Sequence, residues 1–172
     1  MPGYTLCPET RISGITRQIG QAVDAIARHC PGPLRLTGHS AGGHLVSRLA
    51  CTDAPLGEES RGRIARVVSI SGLHDLRPLL ATRMNATLRL DPAEAAAESP
   101  ALLVPRPGLP VVCWAGAGER PEFRRQNSLL ASVWQGLGAA TAAAEAPGRH
   151  HFDVIDALAD PASELCQALV AD

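Results

Sequence analysis

The stretch that most constrains this chain is Leu34-Arg35-Leu36-Thr37-Gly38-His39-Ser40-Ala41-Gly42-Gly43. Leu34 and Leu36 alternate with polar residues before it, and Leu45, Val46 and Leu49 follow at helical spacing. This pattern predicts a short strand, a tight turn and then a helix. A serine at the tip of such a turn sits on strained backbone, and bulky neighbours would clash. Gly38 and Gly42 are expected to relieve that clash, and Gly43 to let the helix pack closely. The Ser40 hydroxyl is then lifted clear of a sheet. The Ala41 N–H, at the helix start, is aimed where an oxyanion would form. No lysine follows the glycines, as a phosphate-binding loop would require.

The rest of the chain repeats the strand–helix alternation. Ile12, Ile15, Ile19, Val23 and Ile26 predict an amphipathic helix over 12–28, ended by Pro31-Gly32-Pro33. Residues 52–62 are polar and read as a loop. Val67, Val68 and Ile70 mark a buried strand over 65–71, closed by Gly72. Residues 73–110 read as mixed, with helical pieces at 76–81 and 92–97. A strand over 111–115 precedes Gly116 and Gly118. Pro121 then opens a helix whose apolar face holds Phe123, Leu130, Val133, Trp134 and Leu137, with Gly138 as its stop. Residues 139–146 read as a final small-residue strand, 147–151 as a loop, and Asp160-Pro161 as the cap of a terminal helix. The alternation predicts an α/β fold with a mostly parallel sheet and helices on both faces. Ligands bind such sheets at the carboxyl ends of the strands.

At 172 residues the chain reads as a single domain, 1–172, able to bury a core without disulfides or metals. A net charge of -1 and 3% aromatic residues argue against nucleic acid as a partner. The five cysteines are widely spaced with no C-x-x-C pair, which reads as reduced thiols in a cytoplasmic protein. The first residues lack the pattern of a signal peptide, and no apolar run is long enough to span a membrane. No histidine or cysteine spacing matches a metal site.

A serine hydroxyl becomes nucleophilic when an imidazole takes its proton, and an acid must then orient that imidazole. In this fold class the chain order is Ser, acid, His. Of the six histidines, only His150 and His151 follow the last strand. His151 is the expected base, with Phe152 behind it to anchor the loop. Glu119, just past the 111–115 strand, is the favoured acid, and Asp75 after the 65–71 strand is the alternative. Glu122 reads as a first-turn helix charge, and Asp153 lies too close to His151 in sequence.

Residues 38–45, Gly-His-Ser-Ala-Gly-Gly-His-Leu, resemble the nucleophile elbow of the kynurenine formamidase (arylformamidase) branch of the α/β-hydrolases. Residues 4–8, 71–79, 119–127 and 151–153 resemble further segments of the same branch. The resemblance implies an α/β-hydrolase-type three-layer sandwich, with Ser40 as nucleophile, His151 as base and Glu119 at a position where relatives often carry Asp. It implies hydrolysis of the N-formyl amide of N-formylkynurenine to kynurenine and formate in tryptophan catabolism, without a cofactor. The upstream His-Gly-Gly loop of this branch, which supplies a second oxyanion donor, has no counterpart here. The expectation is therefore an incomplete, N-terminally truncated domain with one visible oxyanion donor and an exposed sheet edge. A carboxylesterase acting on small esters, and a non-catalytic binding module, are the alternative readings. The expected partner is a small formamide or ester, with no nucleic acid or membrane. A homodimer is compatible with the sequence.

Overall fold

Isoleucines at positions 12, 15 and 19, together with Val23, form one buried stripe of the first helix, α1 (Ile12–His29). Arg28 and His29 in its last turn complement the negative end of the helix dipole. In the computed structural model, which describes residues 1–171, this stripe packs toward a four-stranded sheet. The strands are β1 (Leu34–His39), β2 (Ile64–Ile70), β3 (Pro110–Gly116) and β4 (Ala140–Ala146). They are ordered β1-β2-β3-β4 and every pairing is parallel.

Alternation along the strands divides the core. Val67, Val111 and Cys113 face one side and pack with α1, with α2 (Ala41–Leu49) and with α6 (Pro121–Gly136). Val68, Ile70 and Trp114 face the other, against Val154 of a 3₁₀ turn (Val154–Ala159) and Leu165 of α7 (Glu164–Val170). The result is three layers with helices on both faces of the sheet, as the alternation predicts. Trp134 of α6 is fully buried, and its Nε1–H donates to the carbonyls of Pro100 (3.0 Å) and Leu103 (3.2 Å). That contact ties the long 71–109 connection to the helix layer.

Three expectations need correction. The 52–62 segment is not all loop, because α3 (Glu58–Arg63) forms within it. Glu58 and Glu59 sit at its positive end and Arg61 and Arg63 at its negative end, so a polar six-residue segment still suits a helix. Asp24 further fixes its entry by accepting the Gly57 N–H (3.1 Å). Within 73–110, the 3₁₀ turn Arg77–Ala81 and helix α5 (Pro92–Ala97) lie where helical pieces are expected, but α4 (Asn85–Leu88) and the turn Pro100–Leu102 do not follow from any apolar pattern. The terminal helix is capped by Ser163, whose Oγ accepts the Cys166 N–H (3.1 Å), and not by Asp160, whose carboxylate accepts the Ala162 N–H (2.9 Å). Among the described residues, no helix is long and apolar enough to cross a membrane.

Candidate active site

Ser40 joins β1 directly to α2 with φ 55° and ψ −115°, a left-handed backbone conformation that a non-glycine residue adopts only when its surroundings enforce it. Its N–H donates to Ile70 O (2.8 Å), which pins the turn to the end of β2. A Cβ on Gly38 would lie 2.3 Å from the Gly42 carbonyl oxygen. One on Gly43 would lie 2.8 Å from both Gly72 Cα and Ser69 Oγ. The role expected for Gly42 is not the one observed, since a Cβ there would meet nothing within 4 Å. The crowding falls on Gly38, against Gly42 backbone. Gly38→Ala should therefore destabilise the fold by about 1–3 kcal/mol, a drop of several degrees in Tm. Gly42→Ala should be neutral or slightly stabilising, because alanine is the better helix former. Thermal unfolding of the two variants checks the pair, and an equal loss in both would refute it.

His151 follows β4 and brings its imidazole to Ser40, whose Oγ–H donates to Nε2 at 3.1 Å. Its Nδ1–H donates to Glu119 Oε2 at 2.8 Å. The Glu119 side chain is fully buried, and its other oxygen accepts from Ser71 Oγ (2.5 Å) and the Gly116 N–H (2.8 Å). Burying a carboxylate is costly unless hydrogen bonds replace its lost water, and these three donors do so. The structure thus brings Ser40, His151 and Glu119 into one hydrogen-bonded series across the carboxyl ends of the strands. Glycines allow the two loops to meet. A Cβ on Gly116 would lie 2.3 Å from Arg149 O, and the Gly118 N–H donates to that same oxygen (2.8 Å).

Asp75, the alternative acid, is engaged elsewhere. Arg77 Nε and Nη2 both donate to its carboxylate at 2.9 Å, and these bonds hold the Asp75 pKa below its usual range. Phe152 does not anchor the histidine loop, because it is 81% exposed and meets His151 edge-on. Phe123 of α6 and His39 of the elbow flank the imidazole instead, with ring centroids at 4.2 and 4.6 Å. Burial is the main cause that lowers the His39 pKa, and the neighbouring His151 ring disfavours a second positive charge there. His150 points outward, and its N–H donates to Asp153 Oδ1 (2.6 Å), closing the loop.

Ser71 and Phe123 are the contributors that sequence reasoning misses. A serine closing a strand before Gly72 was a usable signal for the first, whereas nothing local marks the second. The Ala41 N–H belongs to the first turn of α2, where backbone donors lack partners within the helix, and Ala41 is exposed. Among the described residues no cluster of histidine, cysteine or acidic side chains could hold a metal ion. The arrangement can lower the cost of removing a proton from Ser40 and can place one N–H donor beside it.

The chain is 29% identical to a kynurenine formamidase from Salmo salar over 98% of its length, and 27% identical to one from Danio rerio over 92%. It spans 60% and 56% of those two relatives. Among solved structures it is similar to a candidate thioesterase from Silicibacter sp., with TM-score 0.92 and 47% identity, covering 99% of this chain and 63% of that one. It also resembles EstE1, a carboxylesterase cloned from a metagenomic library, with TM-score 0.70 and 20% identity, covering 96% of this chain and 67% of the other. That second likeness concerns the fold. No family model matches. The chain has the α/β-hydrolase fold and is similar in sequence to kynurenine formamidases.

Proposed function

We propose that this chain is a serine hydrolase that cleaves a small formamide, with Ser40 as nucleophile, His151 as base and Glu119 as the orienting acid. The observation that carries this reading is the series Glu119–His151–Ser40, at 2.8 and 3.1 Å, with the serine on strained backbone. Ser40 Oγ attacks the carbonyl carbon as its proton passes to His151 Nε2. The Ala41 N–H stabilises the resulting oxyanion. The imidazolium, held by the Glu119 carboxylate, returns the proton to the departing amine. Water, deprotonated by the same imidazole, then releases the acyl group as an acid. For a formamide that acid is formate. The formamide bond is favoured by the two kynurenine formamidases among the relatives and by the matching stretches spread along the chain.

A carboxylester substrate is the second reading. It is favoured by a largely apolar cavity beside the elbow, lined in part by Ala41 and Leu45. Formate release from N-formylkynurenine, measured beside turnover of p-nitrophenyl acetate, separates the two readings. A fluorophosphonate probe tests the mechanism common to both. The probe should label the wild-type chain at Ser40 and leave Ser40→Ala unlabelled, with turnover in that variant lower by about 10⁴-fold or more. An unlabelled wild type, or equal labelling of Ser40→Ala, would refute it.

A further inference from the structure

The His151 imidazole is held at both nitrogens, by Glu119 (2.8 Å) and by Ser40 (3.1 Å). Two further rings pack on it. Phe123, in the first turn of α6, has its centroid 4.2 Å away with the planes at 31°. His39, the last residue of β1, lies at 4.6 Å and 42°. Both are near the separation at which stacked aromatic pairs attract. Phe152 meets the imidazole only edge-on, at 5.4 Å and 86°, and is largely exposed. The His39 Nε2 is buried with no partner, and the residue also bonds the His151 backbone. Burial lowers the His39 pKa, so its ring is neutral beside an imidazolium. The elbow and α6 thus each press one uncharged ring on the proposed base.

These contacts matter at one stage of the proposed reaction. When Ser40 Oγ bonds the carbonyl carbon, its proton passes to Nε2 and its hydroxyl no longer holds that nitrogen. The Nδ1–H bond to Glu119 remains, and the ring is free to pivot about it unless its faces are held. At that moment Nε2–H must point to the departing group. The electron pair of the breaking bond stays on that group's nitrogen or oxygen, which takes up this proton. Misplacing a reacting group by about 1 Å can cost about 10²-fold in rate. We propose that His39 and Phe123 are positioning residues whose rings clamp the His151 imidazole, so that its proton reaches a basic leaving group. This rests on the proposed Ser40 chemistry and assigns the step at which the two rings act.

Leaving groups separate this clamp from a merely structural role. A p-nitrophenolate departs without a proton, whereas an alkoxide or an anilide needs one. Ethyl acetate and p-nitrophenyl acetate give the same acetyl-enzyme, and formanilide and p-nitrophenyl formate give the same formyl-enzyme. His39→Ala should lower kcat/KM about 100-fold for ethyl acetate or formanilide, and about tenfold or less for the matching p-nitrophenyl ester. Phe123→Leu keeps the apolar bulk but removes the ring, and should open the same gap. His39→Phe restores a neutral ring, and should bring the ratio of the two rates back to within about threefold of wild type. A loss of folded protein would instead lower both members of a pair equally. Equal losses in His39→Ala, or a gap in His39→Phe as wide as in His39→Ala, would overturn the clamp while the fluorophosphonate probe still labels Ser40. A wild type that the probe leaves unlabelled would overturn the hydrolase reading itself.

Discussion

Glu119→Gln is expected to lower kcat by about 10⁴-fold while changing KM little and leaving the fold intact. The size follows from which end of the new amide must face which neighbour. Glu119 Oε1 accepts from Ser71 Oγ and from the Gly116 N–H, so the oxygen of a glutamine has to remain there. Its NH₂ group is then left facing His151 Nδ1, where Glu119 Oε2 now accepts. An amide donor at that position requires Nδ1 to be the acceptor. The proton moves to Nε2, and the imidazole can no longer take the Ser40 proton. Steady-state kinetics on p-nitrophenyl acetate, with the circular dichroism spectrum as the folding control, checks this. Activity within tenfold of the wild type would remove Glu119 from its proposed role. Glu119→Asp keeps the charge but shortens the side chain by one methylene. It cannot keep both oxygens on their present partners, so a loss smaller than that of glutamine is expected.

The same pair of oxygens shows what sequence reasoning could and could not see. Strand, turn and helix around Ser40 are encoded locally, in apolar periodicity and in Gly38 and Gly43, so that element was legible. Glu119 and His151 were legible as positions at strand ends, because a parallel α/β sheet gathers such positions at one edge. What selects Glu119 over Asp75 is not local. Glu119 meets Ser71 across 48 residues and His151 across 32, while Arg77, two residues from Asp75, takes that carboxylate. The Arg77 contact could have been anticipated from proximity, but its outcome depends on the 3₁₀ turn at Arg77–Ala81. Phe152 misled because an aromatic after a catalytic-type histidine reads as an anchor. The Phe152 ring is exposed, and Phe123 of α6, 28 residues before His151, packs on the imidazole. The short helices α3 and α4 were missed for a related reason. Each is too short to show a periodic apolar stripe: α3 is suited by the charges at its two ends, and α4 is closed by the Asn85 side chain, which bonds both the N–H and the carbonyl of Leu90.

Two histidines outside the proposed chemistry make the fold acid-sensitive, and this is the second large effect expected. His44 in α2 and His74 after β2 are both buried. Burial is the largest cause in each case and lowers the first from 6.5 to about 4 and the second from 6.5 to about 3. His74 can give Nε2–H only a long contact to Ser69 Oγ (3.4 Å), and its Nδ1 is buried with no partner. In the unfolded chain both rings protonate near pH 6.5, whereas the folded chain resists protonation until the lowered values are reached. The unfolded state therefore binds more protons between pH 6.5 and 4, and stability is full above that window and falls as the pH drops through it. Linkage puts the loss at pH 4 at about 6 kcal/mol for the pair, comparable to the whole stability of an ordinary domain. Burial also raises the Glu98 pKa, and protonation of that group on acidification offsets part of the loss. Asp75, Asp91 and Glu122 have lowered values, so their stabilising contribution begins to be lost as the pH falls through the ordinary carboxylate range, near the bottom of this window and below it. Urea midpoints measured from pH 7 to pH 4 should fall steeply below pH 6.5. His74→Leu gives up little hydrogen bonding, so it should hold stability near the wild-type level at pH 7 and flatten the fall by roughly half. Identical pH profiles for wild type and His74→Leu would show that the buried ring does not set the acid limit of this fold.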